Sequence, residues 1–255
     1  MRSRFVPVIA ANADVDLTRL VPMLVQGPPV GWAFARACRG YRIRGGAGFL
    51  LSAKARDLHV DLHRSGAAHA FYVSQVPEHE QVTSRAAPFF DALACGDDAS
   101  ARSIARHAPT QAKPDREHVD DFLYVHLLMR HCVLGGSRDE ALDILTRWED
   151  VVAEESASAR LDVCRALLAG NAVSFHTALL AMAEEHRAFY DLGFQKSRIP
   201  EETWAIEGCL FIEGMALWRL ARAARLDVAE DYPLMPSLAL RPPKLSYSPD
   251  AWRTP

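Results

Sequence analysis

Glycine punctuation constrains this chain more than any other feature. Gly96, Gly135 and Gly170 each close a stretch with helical apolar periodicity, and they recur at intervals of roughly 35 to 40 residues, the spacing of stacked helical hairpins. No residue-level consensus repeats with them, so the expected fold is mainly α, built from irregular stacked helical hairpins. Residues 88–95 form a short helix running into Gly96, with Asp98 placed to cap the next. Residues 117–134 are strongly apolar on one side and stop at Gly135-Gly136. Ser137 and Glu140 have capping-box spacing and open a helix to about residue 155. Residues 159–169 end at Gly170-Asn171, and 173–190 follow. Pro200, with Glu201 and Glu202 behind it, marks the first turn of a final helix of about twenty residues or more.

The N-terminal part reads differently. Residues 29–55 look like helical pieces interrupted by Gly45-Gly46. Then Leu58, Val60 and Leu62 alternate with His59, Asp61 and His63, a period of two that predicts a half-buried strand. Ser65-Gly66 supplies a turn and residues 70–73 a return strand, giving a small N-terminal β-hairpin. From Asp227 onward prolines accumulate, and the chain is expected to lie extended along the surface. The expected organisation is an N-terminal helical region with the hairpin (1–86), a helical-hairpin body (87–226) and a Pro-rich C-terminal tail (227–255), together forming one cooperative unit.

At 255 residues the chain can bury a substantial core. A net charge of −3 argues against nucleic-acid binding, which needs clustered Lys and Arg. No stretch reaches the roughly 18 apolar residues of a membrane span, so no membrane association is expected. Arg2 and Arg4 precede an apolar FVPVIAA that Pro7 breaks, too short for an export signal. Five scattered cysteines contain no CxxC pair, which suits a reducing, cytoplasmic location.

Constellations that could carry chemistry are weak. His59, Asp61, His63 and His69 are the best metal candidate, because on a strand the first three would share a face. The solvated face of a strand accounts for them equally well, so no metal or other cofactor is expected. His126 and His131 do not share a helix face, and Cys132 points away from its neighbour His131. No nucleophile elbow, phosphate loop or dinucleotide fingerprint is present, and no enzymatic activity is expected. Acidic residues cluster on helix faces: Asp120 with Asp121, the pair Glu149 and Asp150 after Trp148, Glu154 with Glu155, and Glu184 with Glu185. Such ridges suit a basic protein partner. Glu213 stands among Phe211, Ile212 and Met215, and if buried it needs a partner.

The last quarter carries a resemblance. ALLAMAEEHRAFY ends in His186 and Tyr190, and FIEGMALWRLARAARLDVAEDYPLMPSLAL contains Asp231, Tyr232 and Pro236. Together they resemble immunity protein 49, a family found beside bacterial polymorphic toxins. Its members show an alanine-rich helix ending in a His-aromatic-Tyr stretch and close on an acidic-Tyr-Leu-Pro motif; the segment around Val60 also looks similar to the family's N-terminal half. This chain departs from the closing motif by the extra Pro233 and by Met235.

The resemblance implies an immunity protein that binds and neutralises a cognate toxin by steric occlusion. His186, Tyr190, Asp231, Tyr232 and Pro236 are expected to be structural, and the acidic ridges to meet the partner. A helical-hairpin scaffold or adaptor is the alternative, and a metal-dependent enzyme a more distant one.

Overall fold

The computed structural model describes residues 3–152, 158–241, 243 and 245–255. Its described residues are mainly helical and include no strand; the only β-type pairing among them is an isolated bridge between Tyr232 and Met235. Three long helices open the chain: α1 (Val6–Gln26), α2 (Gly31–Ser52) and α3 (Ala55–Gln75). Short helices α4 (Ala87–Cys95) and α5 (Asp98–His107) follow, then α6 (Val119–Leu127), which widens into a π-helical turn over Leu128–Val133. Next come α7 (Arg138–Val152), α8 (Ala159–Ala169), α9 (Ala172–Gln195), α10 (Glu201–Ile206), α11 (Ile212–Ala223) and α12 (Ser237–Leu240).

The glycine stops behave as the sequence predicts. Gly96, Gly135 and Gly170 all take positive φ (88°, 73° and 66°), the left-handed C-terminal cap that a Cβ disfavours. Ser137 accepts from the Glu140 backbone as in a capping box, although the Glu140 carboxylate turns to Arg130 at 3.0 Å. The N-cap of α5 is Asp97 and not Asp98, its carboxylate accepting from the Ser100 backbone.

The predicted β-hairpin is wrong: residues 55–75 form one uninterrupted helix, α3. The alternation misled because the polar half of the pattern is buried, and Asp61 and His63 within it are paired. Asp61 is held by Arg44 at 2.7 and 2.8 Å, and His63 by Asp97 at 2.6 Å, so α3 is enclosed on several sides. Gly66 is a helix-packing site and not a turn. A Cβ there would stand 2.7 Å from that of Ala92 on α4. Gly45 and Gly46 do not interrupt α2 either; a Cβ on Gly45 would meet the Asp61 Cβ at 2.8 Å, which shows how closely α2 and α3 approach.

The expected long final helix is divided into α10 and α11. At the division the Phe211 amide donates to the Leu234 carbonyl at 2.9 Å, so a turn far along the chain takes a donor that a continuous helix would use internally. The C-terminal segment also departs from a surface strand. After α12 it crosses the molecule, and Trp252, fully buried in a short 3-10 turn (Ala251–Arg253), packs against Phe34 and Phe71 with ring centroids at 5.4 and 5.1 Å. One apolar core runs from α3 through α12, and a second is shared by α1, α2, α3 and Trp252.

Candidate functional site

An open cleft of about 580 Å³ stands out among the described residues. The start of α4, the acidic first turn of α6, α9 and the 207–213 connection contribute to its lining. Six carboxylates reach it (Asp91, Asp120, Asp121, Glu185, Glu207 and Glu213) against two guanidiniums, those of Arg42 and Arg160.

Most of these charges are already engaged. Arg42 forks onto Asp91 through Nε at 2.8 Å and Nη2 at 2.5 Å, and Ser65 donates to the same carboxylate. The Asp91 side chain is fully buried, and burial pushes its carboxyl above the ordinary range against the pull of Arg42. Glu213 finds the partners its apolar surroundings demand: Tyr124 donates at 2.8 Å and Arg160 at 3.1 Å. Arg160 also reaches Asp121 at 2.9 Å and lies 4.9 Å from the centroid of the Tyr124 ring. Glu207 accepts from Arg39 and Tyr190, both at 3.2 Å. Asp120 and Glu185 are the lining carboxylates with no hydrogen bond or ion pair among the described residues. One turn along α9 from Glu185, Phe189 presents its ring to solvent at 65% exposure.

The HRAFY motif is therefore part of the cleft wall. His186 donates from Nε2 to the Glu207 carbonyl at 2.8 Å, and its ring lies between those of Tyr190 and Phe211 at 4.7 and 4.6 Å. Burial lowers its basicity. With Tyr190 it pins the connection between α10 and α11. The DYPLMP motif lies elsewhere. Tyr232 is buried and bonds His176 at 3.2 Å, Asp231 is exposed and Pro236 half-buried, and a Cβ on Gly214 would stand 2.6 Å from the Met235 sulfur.

The acidic ridges divide. Asp120 and Asp121 enter the cleft, whereas Glu149 pairs with Arg165 at 2.9 Å and Asp150 is exposed on α7. Trp148, just before them, lines the cleft. Glu154 and Glu155 lie outside the described residues. His59, Asp61, His63 and His69 do not converge: among the described residues no group of three or more potential ligands is arranged for a metal. His63 has both nitrogens committed, to Asp97 and to the Ser248 carbonyl at 2.8 Å. The sequence reading missed Arg42, Asp91, Arg160 and Phe189. For Asp91 a signal was present, since a lone charge inside FFDALAC points to a buried ion pair.

The described residues thus form a mainly helical molecule with an acidic, aromatic-lined cleft. The model of immunity protein 49 matches residues 52–239, most of the chain, and the protein belongs to that family. No curated protein and no solved structure matches it. No helix among the described residues is long and apolar enough to cross a membrane.

Proposed function

We propose that the protein binds a cognate bacterial toxin and neutralises it by steric occlusion, with the cleft between α6 and α9 as the docking surface. One observation carries this reading: the cleft is lined by the exposed Phe189 and by two carboxylates, Glu185 and Asp120, that have no hydrogen bond or ion pair among the described residues. Exposed aromatics that become buried serve as interface anchors. Uncommitted charge around them steers a complementary partner and excludes others. The engaged network of Arg42, Asp91, Arg160 and Glu213 then acts as a rigid floor, so little ordering accompanies binding.

The test is co-expression with the toxin candidates encoded next to the gene. Neutralisation restores growth, and the purified pair binds. In the variant carrying Glu185→Lys and Phe189→Asp, affinity falls by about a hundredfold or more, with the melting temperature unchanged. Failure to protect against every neighbouring candidate overturns the function; protection by the variant at wild-type affinity moves the interface away from this cleft.

A further inference from the structure

A second concavity, of about 370 Å³, lies between α2, α3, the loop before α4 and the end of α5. It shares Arg42 and Ala87 with the acidic cleft, but its chemistry is different. Val73, Pro88, Ile104 and Met129 give it apolar walls. Of the three guanidiniums in its lining, those of Arg42 and Arg39 are engaged elsewhere, with Asp91 and Glu207. Glu80 and Arg85 are exposed residues of its lining.

Two polar groups in the lining lack partners. His69 makes no hydrogen bond among the described residues, and its ring centroid lies 6.0 Å from that of Tyr72. Burial, helped by the Arg42 charge, pushes its imidazole down to about 4, so at neutral pH it offers one donor and one acceptor. Gln81 is 7% exposed and gives its amide nitrogen to the Val73 and Val76 carbonyls, leaving Oε1 unpaired. A buried polar atom without a partner is unfavourable, because it has lost its water without replacing that hydrogen bond.

We infer that this cavity is a binding site for a small neutral molecule with an apolar body and an amide or hydroxyl head group, held by His69. Its size falls in the range of small-molecule sites, and its walls are apolar with few polar groups, the usual composition of such sites. A charged ligand would lose hydration here and meet only the exposed, water-solvated Arg85 and Glu80 as counter-ions. The inference is independent of toxin binding, because the two concavities present different groups.

The test uses benzamide as the probe, with benzoate and benzylammonium as charged analogues of similar shape. The readout is the Met129 methyl resonance in protein labelled at methionine methyls. Benzamide shifts it saturably and binds at least about tenfold more tightly than either analogue. His69→Phe weakens benzamide about tenfold. Ala35→Trp, which plugs the cavity from an exposed helix position, abolishes the shift; Ala108→Phe is the second plug should the first fail to fold. Absence of a saturable shift, equal binding of a charged analogue, or benzamide binding undisturbed in a folded plug variant overturns the site.

Discussion

The hydroxyl of Tyr41 donates to the backbone carbonyl of Trp252 at 2.5 Å, joining two residues 211 positions apart in the chain. Both side chains are fully buried, and with Phe34 and Phe71 they form the centre of the N-terminal core. The C-terminal segment is thus a structural part of the first three helices.

Trp252→Ala is expected to destabilise the protein by about 3–5 kcal/mol, the usual cost of removing a buried aromatic. Tyr41→Phe, which keeps the ring but removes the hydrogen bond, costs about 1 kcal/mol. Urea denaturation measures both; a Trp252→Ala cost below that of Tyr41→Phe would show that the segment is not bound in solution.

Breaking the buried pair of Arg42 and Asp91 on one side only is predicted to be severe. Arg42→Met leaves a carboxylate with no side-chain exposure facing no cation, at a cost of about 3–5 kcal/mol. The double variant Arg42→Met with Asp91→Leu should recover much of that loss. A double-mutant cycle decides: purely additive losses would refute strong coupling within the pair.

Acid sensitivity should come from neutral buried histidines. His59 is fully buried, neither ring nitrogen makes a well-formed hydrogen bond, and burial pushes its basicity down to about 4 against weak help from the Ala239 backbone. The unfolded chain binds a proton near pH 6.5 and the folded one only near 4. Stability therefore falls as pH drops between those values, by up to about 3 kcal/mol for this residue. His59→Leu should reduce the drop measured by urea melts at pH 7 and pH 4.5; an unchanged difference would place the acid sensitivity elsewhere.

The helical layout was legible where local chemistry decides it. Residues 159–169 form the predicted helix at its predicted bounds, and all three stop glycines adopt left-handed backbone. It was not legible where a distant partner decides. The polar residues of α3 looked solvated, but Asp61 and His63 are buried by pairing with Arg44 and Asp97, and those pairings leave no local trace. The division between α10 and α11 depends likewise on Leu234 taking the Phe211 amide. In the cleft, Asp120 and Asp121 were visible as an acidic pair on the polar side of a helix. Arg160 was not, because nothing around it in sequence distinguishes it from a surface arginine until α8 is set against α11.

The crossing of the C-terminal segment has a consequence for the order of events during synthesis. Helices α1 to α3 emerge from the ribosome first, yet the aromatic socket they build receives Trp252 only after all the other helices have been translated. The first part of the chain made is therefore among the last to be completed, and until then an apolar opening is exposed to chaperones and to other nascent chains.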